Sequence, residues 1–404
     1  ITNTMESISG VTLLDVDPGV DTNRTVVTIV GDPQSVIESA FLGIKRGSEL
    51  INMKNHKGAH ARMGATDVCP FVPISGVTMD DCVEYSKQLA KQVGEQLKIP
   101  VFLYEFSAAN NDRINLASIR SGEFEGMTEK LQLPEWKPDY GPGKPHVSAG
   151  VTAIGARNFL IAYNINLNTK DKKIATDISL NIREQGRNKR DEHGKFVRDK
   201  NGIPIKSPGI LKSCKAVGWY IDEYGLAQVS MNLTNFNETP LHIAFEETRK
   251  QARKRGVRVS GSELVGLIPL KSMITSGKYY LTKQKRSTGI PIKDIIHIAI
   301  KSMGLDDLAI FDPNEKIIEY RIGKRYKTLA SMTLHDFSDE LSSDSPAPGG
   351  GSVAALAGTL GASLTSMVSN LTFGKKKWEP LFKQMSQLAE KSQQLKDELI
   401  QLID

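Results

Sequence analysis

The stretch VTLLDVDPGVDTNRTVVTIVGDPQSVIESAFLGI, residues 11–44, predicts a strand, a turn, a second strand and a helix in that order. Residues 11–17 and 25–30 are rich in apolar and β-branched side chains, which favours two strands, and Pro18-Gly19 predicts the turn after the first. Asp32 can cap a helix that has Pro33 in its first turn and apolar residues on one face. Strands that lead directly into amphipathic helices are typical of the α/β class.

The strand and helix pattern continues on the C-terminal side of this stretch. Thr78 and Asp81 have the spacing of a capping box at the start of an amphipathic helix, and residues 101–106 follow as a buried strand. Residues 226–233 are again strand-like and lead into a helix with one apolar side. The repetition predicts two related α/β subdomains, with their boundary near Arg157.

Four segments are expected along the chain: the two subdomains, a linker and an all-α segment, at residues 1–157, 158–322, 323–333 and 334–404. The uncharged run 353–371 is interrupted by hydroxyl and amide side chains, so we expect a buried helix of small residues rather than a membrane span. The final amphipathic stretch shows no stop signal before residue 404, which predicts an incomplete helical domain. No secretory signal is visible at the N-terminus.

Length and composition bound the class of protein. With 404 residues the chain is too long for one core, and its 39% hydrophobic and 24% charged residues are those of a globular protein. A net charge of +6 suits an acidic small molecule as well as a polyanion. Cys69, Cys82 and Cys214 form no CxxC pair, which argues against a disulfide framework and a zinc ribbon and favours the cytoplasm.

Residues 55–65, NHKGAHARMGA, hold the densest group of candidate functional side chains. His56 and His60 have the i, i+4 spacing of a metal site on a helix, but Gly58 and Gly64 disfavour a helix there, so we expect no metal. Two histidines in a surface loop without a function are the alternative.

Asp15 and Asp17 lie at the end of the first predicted strand, and the period of two places both carboxylates on one face. Three interpretations remain open: a DxD metal site, a polar strand end, or a carboxylate that fixes the tautomer of a histidine and stabilises its protonated form.

Three further segments are rich in glycine or charge. Residues 139–150, DYGPGKPHVSAG, can present backbone N–H groups and a stacking surface to a flat ligand, or form an ordinary interdomain loop. Residues 347–352, APGGGS, lack the spacing of a Walker loop, so ATP is not indicated. Residues 187–209 predict a solvated hairpin that turns at Asn201-Gly202, and no aromatic ladder supports a nucleic-acid role for its charges.

The motifs LLDVDPG, TNRTVVTIVG, HKGAHARMGATDVCPFVP, GVTMDDC, FLIAYNINL, IREQGR, GWYIDE, SELVGLIPL and IIEY occur in this order, followed by SPAPGGGSVAA. Together they resemble the glutamate formiminotransferase-cyclodeaminase family, the last motif being similar to the start of its cyclodeaminase domain. The resemblance implies an α/β fold of two related α/β subdomains, each a sheet with helices on the outer face. These would enclose a ligand tunnel and be followed by an incomplete all-α segment.

The resemblance also implies the site residues. His60 would be the catalytic proton donor and acceptor, with Asp17 at the same site. Apart from the resemblance, Arg62 together with Arg183 or Arg187 is expected to bind the carboxylates of either substrate by paired hydrogen bonds, and no metal is expected. The implied folate contacts form one continuous stretch of Gly141, Pro142, Gly143, Lys144, Pro145, His146, Val147, Ser148, Ala149 and Gly150.

The implied reaction moves the formimino group of N-formimino-L-glutamate to N5 of tetrahydrofolate, the co-substrate, and releases L-glutamate, as in histidine degradation. A non-catalytic folate-binding subunit is the alternative. Cyclodeaminase activity is expected only in a full-length parent protein. Small molecules are the expected partners, without nucleic acid or membrane, and a cytoplasmic homo-oligomer is the expected state.

Overall fold

A computed structural model describes residues 1–19, 23–58, 61–323 and 328–404. The chain divides into two compact units, residues 1–160 and 161–404. Both units contain sheets flanked by helices, and the described residues after 333 form helices joined by loops, with no strand among them. The predicted α/β class with a helical C-terminal segment is therefore confirmed.

The first unit combines a β-hairpin with a parallel sheet. Its elements are β1 (Val11–Gly19), β2 (Arg24–Gly31), β3 (Val68–Phe71), β4 (Val101–Glu105), β5 (Thr152–Ala156), α1 (Thr2–Glu6), α2 (Pro33–Leu50), α3 (Met79–Gln92), α4 (Leu116–Arg120) and α5 (Glu123–Lys130). β1 and β2 pair antiparallel, whereas β3, β5 and β4 form a parallel sheet in that order. α3 packs on the parallel sheet, and its Leu89 is completely buried.

The two predicted helix starts in this unit are confirmed. The Asp32 carboxylate accepts a hydrogen bond from the Ser35 N–H at 3.1 Å, which satisfies one of the donors that the first turn of α2 leaves unpaired. At α3 the Asp81 carboxylate accepts the Thr78 N–H at 2.8 Å, and Thr78 Oγ1 accepts the Asp81 N–H at 3.2 Å. Local sequence is thus sufficient to start both helices.

The turn predicted at Pro18-Gly19 is wrong, because β1 continues through both residues. Pro18 pairs with Thr25 and Gly19 with Arg24 in the hairpin ladder. Pro18 is exposed on a two-stranded ribbon, where its missing N–H costs no hydrogen bond with a further strand. The hairpin therefore extends past the Asp-Val-Asp motif and carries it within a strand.

The second unit contains a four-stranded antiparallel sheet in the order β11-β6-β10-β9. Its elements are β6 (Ile161–Leu167), β7 (Arg187–Asn188), β8 (Lys206–Ser207), β9 (Cys214–Ile221), β10 (Leu226–Leu233), β11 (Val259–Val265), α6 (Lys172–Ile182), α7 (Leu241–Arg253), α8 (Leu270–Lys283), α9 (Ile292–Met303), α10 (Pro313–Lys316), α11 (Ile318–Gly323), α12 (Leu334–Leu341), α13 (Gly350–Thr372) and α14 (Phe382–Gln401). One face of the sheet carries Tyr163, Ile165 and Leu167, all fully buried, and α6 packs on it. The strand directions thus differ from those of the parallel sheet in the first unit.

The charged segment between β7 and β8 contains two turns rather than the single turn predicted. The sequence Arg-Asp-x-x-Gly occurs at residues 190–194 and again at 198–202. Asp191 accepts hydrogen bonds from the backbone of its own loop at 2.9–3.0 Å, and Asp199 does the same at 2.9 Å. The predicted turn at Asn201-Gly202 is present, and the preceding repeat adds a second one.

α13 is less buried than predicted. Its buried side chains are small and mostly polar, such as Thr359 and Ser366, while Leu360, Leu364 and Leu371 are 55%, 59% and 59% exposed. Ser366 Oγ donates to the Gly289 carbonyl at 3.3 Å, so the hydroxyl-bearing face is the one that packs. Among the described residues this helix alone is long and apolar enough to cross a membrane by length and composition, a test that core helices also pass.

Candidate functional site

The Asp-Val-Asp motif lies in the hairpin of the first unit. A register shift between Leu13 and Asp15 forms a bulge, after which Asp15 pairs with Thr28 and Asp17 with Val26. Because the ladder is regular beyond the bulge, both carboxylates lie on one face of the ribbon and are partly buried. His60 lies outside the described residues, so its pairing with Asp17 stays a prediction.

His56 connects the end of the hairpin to the loop that leads to His60. Its Nε2 lies 2.7 Å from the Asn23 carbonyl oxygen, and Asn23 Nδ2 donates to the Lys57 carbonyl at 2.7 Å. A carbonyl oxygen can only accept, so Nε2 carries the proton of His56. The Nδ1 atom is buried without a hydrogen-bond partner in the described part of the chain. These reciprocal bonds hold the loop against the hairpin.

Arg62 binds two glutamates at the start of α5. Its guanidinium donates to Glu123 at 2.8 Å and to both carboxylate oxygens of Glu125 at 2.8 and 2.6 Å. The hydrogen bonds from Arg62 lower the pKa of Glu125 to about 2. Arg62 also donates to the His56 carbonyl at 3.2 Å. In this structure the Arg62 guanidinium is therefore paired with two carboxylates of the protein itself.

The loop of residues 55–65, here called the histidine loop, contacts the predicted folate stretch, residues 141–150, through its described C-terminal end. Gly64 and Gly150 form an antiparallel bridge, in which the Ala65 N–H donates to the Ala149 carbonyl at 2.9 Å. A Cβ on Gly64 would lie 2.0 Å from the Val151 carbonyl oxygen, so no other residue fits without movement. Two motifs that are distant in the sequence are thus joined by backbone contacts at their glycines.

The folate stretch is anchored at its C-terminal end and exposed in its middle. Ala149 is 2% exposed, whereas Val147 is 70% exposed. The Ala149 N–H donates to His146 Nδ1 at 3.1 Å, which leaves Nε2 to carry the proton of the neutral ring. Lys144 is exposed in the same loop. The stretch therefore offers an N–H donor and a cation on a loop with a fixed base.

Asp67 is a residue that the sequence analysis did not identify. One of its oxygens accepts the Met63 N–H at 2.8 Å, and the other accepts Arg120 Nε at 2.8 Å and lies 3.4 Å from an Arg24 nitrogen. Burial, and then the charge of Arg120, lower the pKa of Arg24. Asp67 therefore fixes the backbone of the loop that contains the H-x-R-M-G sequence. Its position three residues beyond that sequence was the available signal.

The other two predicted arginines lie in the second unit and also have protein partners. Arg183 Nε donates to the Gly186 carbonyl at 2.9 Å, and an Arg187 nitrogen lies 2.7 Å from an Asp177 carboxylate oxygen. Within the described ranges, no group of three or more His, Cys, Asp or Glu side chains could hold a metal ion.

Comparison with known proteins assigns the chain to a family. Models of the formiminotransferase domain match residues 1–157, as its N-terminal subdomain, and 162–323, and a formiminotransferase-cyclodeaminase model matches residues 333–404. The Formimidoyltransferase-cyclodeaminase of Dictyostelium discoideum is 45% identical over 392 residues, 96% of this chain and 70% of that protein. The protein of the same name from Rattus norvegicus is 42% identical over 406 residues, 100% of this chain and 72% of its own length. The Glutamate formimidoyltransferase of Streptococcus pyogenes serotype M1 is 48% identical over 278 residues, 69% and 86% of the two chains. The chain therefore belongs to the formimidoyltransferase-cyclodeaminase family.

Proposed function

We propose that this chain is a glutamate formimidoyltransferase, which transfers the formimino group of N-formimino-L-glutamate to N5 of tetrahydrofolate and releases L-glutamate. The observation that carries the proposal is the match of formiminotransferase models to both residues 1–157 and residues 162–323. The same reaction is supported by the relative named Glutamate formimidoyltransferase, which is 48% identical to this chain over 278 residues.

The chemistry needs two proton transfers at one place. N5 of tetrahydrofolate attacks the amidine carbon and must lose a proton, and the glutamate nitrogen must gain one before the bond to the amidine carbon breaks. His60 would accept the first proton and donate it in the second step, which contributes about 10²–10⁴ in rate. Asp17 would hold the imidazole in the required tautomer and stabilise its protonated form.

Two contacts of the first unit support this assignment of roles. The bonds between His56 and Asn23 fasten the loop that leads to His60 to the hairpin that carries Asp17. The bridge between Gly64 and Gly150 fastens the other end of that loop to the folate stretch. The proton-transfer residues and the proposed folate contacts would therefore be held near one another.

Substrate carboxylates are proposed to bind the folate stretch and the arginines. Lys144 is exposed and needs no rearrangement to meet an anion. Arg62, Arg183 and Arg187 stay proposed ligands, but each would have to exchange an acceptor within the protein for the substrate. The ligand tunnel implied by the family resemblance also stays a prediction.

A non-catalytic folate-binding subunit is the less favoured alternative, since the three relatives described above carry the names of enzymes. The relatives named Formimidoyltransferase-cyclodeaminase are longer than this chain, which spans 70–72% of their length, and we propose cyclodeaminase activity only for a protein of their length. A cytoplasmic homo-oligomer is proposed as the working state.

The test is to incubate the purified chain with tetrahydrofolate and N-formimino-L-glutamate and to measure released L-glutamate. Turnover that depends on both substrates supports the proposal. Folate binding without glutamate release would establish the binding subunit instead.

A further inference from the structure

The antiparallel sheet of the second unit has a second face that no long helix covers within the described residues. α6 packs on the face that carries Gly218, where a Cβ would lie 2.0 Å from the Thr176 nitrogen. The opposite face carries Trp219, Gln228, Asn164 and Glu263, one from each of the four strands β9, β10, β6 and β11. The register places Trp219 and Gln228 in one cross-strand row and Asn164 and Glu263 in the adjacent row, so all four strands contribute side chains to this face.

These side chains form one hydrogen-bonded network. Trp219 Nε1 donates to Gln228 Oε1 at 2.9 Å, and Gln228 Nε2 donates to Asn166 Oδ1 at 2.8 Å. Gln228 and Asn166 are completely buried, and Asn164 is 6% exposed. Burying amide groups is unfavourable unless they are paired, so the network fixes the orientation of each amide. These paired side chains therefore form a rigid, built surface.

The network reaches two carboxylates: Asn166 Nδ2 lies 3.4 Å from Asp307 Oδ2, and on the other side lies Glu263, whose carboxylate is poorly satisfied. Glu263 accepts from Asn164 at 3.2 Å, from Tyr224 at 3.3 Å and from Gln228 at 3.4 Å. Hydrogen bonds to a carboxylate are normally about 2.5–2.9 Å, so all three are long. Among the residues that the structure describes, no lysine, arginine or histidine forms an ion pair with Glu263. The partly buried carboxylate of Glu263 thus accepts only long hydrogen bonds from uncharged side chains in the described part of the chain.

The chemistry of a matching ligand follows from this geometry. A carboxylate with free lone pairs favours two adjacent N–H donors in one plane, which it can bind by two parallel hydrogen bonds. The half-buried indole of Trp219 on the same face offers a flat surface for stacking. In the proposed reaction two groups have this pattern: the 2-amino-4-oxopyrimidine edge of tetrahydrofolate and the protonated formimino group of N-formimino-L-glutamate.

We propose that the Glu263 face, defined by Trp219, Gln228, Asn164 and Glu263, binds a planar substrate edge with paired N–H donors, with Glu263 as its principal ligand. This inference rests on the proposed function for the identity of the two candidate substrates. The site itself rests on the network and on the Glu263 carboxylate, which has long hydrogen bonds and no ion pair with any residue that the structure describes.

The test is Glu263→Gln, which keeps the size of the side chain but replaces one acceptor oxygen by a donor. The matched control is Glu223→Gln, an exposed glutamate in the same unit that loses the same charge. Equilibrium binding of tetrahydrofolate and of N-formimino-L-glutamate is measured separately for each variant. A lost charge-assisted contact weakens binding by about 10- to 100-fold. We expect that loss for one of the two ligands, with the other within twofold and the control unchanged.

Weakening of tetrahydrofolate alone identifies the pyrimidine edge, and weakening of N-formimino-L-glutamate alone identifies the amidine. Loss of both or of neither overturns the proposal. Because binding is measured without turnover, a chain that binds both compounds but releases no glutamate would disprove the transferase assignment and leave this test intact.

A second measurement covers the case in which Glu263→Gln does not fold. The chain has three tryptophans, so the double variant Trp136→Phe, Trp378→Phe keeps Trp219 as the single indole. A ligand on the Glu263 face should change its fluorescence in a saturable way. Unchanged emission at saturating concentrations of both compounds would contradict the site.

Discussion

Replacing Gly64 by alanine should separate the two motifs that the fold brings together. The new Cβ would lie 2.0 Å from the Val151 carbonyl oxygen and 2.7 Å from that of Ala149, whereas such atoms essentially never come within 3.0 Å of each other. Both contacts are with backbone, so no side chain can rotate away. The two segments must therefore move apart by about 1 Å.

The loss in the free energy of unfolding can be estimated from the hydrogen bonds that this shift breaks. The bonds from Ala65 N–H to the Ala149 carbonyl at 2.9 Å and from Val151 N–H to the Met63 carbonyl at 3.0 Å would both exceed a normal length. Each buried bond lost costs about 1–2 kcal/mol, so the free energy of unfolding should fall by about 2–4 kcal/mol. A shift of about 1 Å in the proposed folate stretch should also lower kcat/KM about 100-fold.

The matched control is Gly126→Ala in the neighbouring helix α5. A Cβ there meets no atom within 4 Å, so the variant should be as stable as the parent or up to about 1 kcal/mol more stable. Urea unfolding and glutamate release check both variants. If Gly64→Ala unfolds within 0.5 kcal/mol of Gly126→Ala, roughly the additivity error of such measurements, the backbone contact is not what holds the motifs together.

Four further predictions follow from the site, the helical segment and the core. His60→Asn should abolish glutamate release while tetrahydrofolate binding is kept, because proton transfer needs the imidazole and binding does not; a tenth of the parent rate would contradict its role. The rate should rise with pH through an ionisation at about 6–7, since the base must be neutral to accept the N5 proton, and a flat profile from pH 5 to 9 would exclude histidine as that base. Leu364, 59% exposed on α13, should support self-association, so Leu364→Glu should lower the mass found by light scattering. Burial lowers the pKa of His242 from 6.5 to about 4, so the unfolded state binds the proton first and stability should fall as the pH drops from 6.5 to 4, a loss that His242→Gln should remove.

The sequence by itself determined the local elements and the family. Asp32, Pro33 and the Thr78–Asp81 box start helices where they were predicted, because a capping bond joins residues only three positions apart. The order of the motifs pointed to the formiminotransferase family, which the comparisons confirm. Helix starts and family motifs can be read from neighbouring residues alone, because neither depends on contacts between distant parts of the chain.

Only the tertiary structure decided which distant groups meet. The pairing of His56 with Asn23, of Arg62 with two glutamates, and of Gly64 with Gly150 depends on how strands and loops pack, which no local pattern encodes. The same holds for Pro18, which continues a strand because its exposed edge needs no N–H, and for α13, whose hydroxyl face is the one that packs. Burial and partners are properties of the packed chain, so Arg62 and Glu263 have their hydrogen-bond partners on segments distant in sequence.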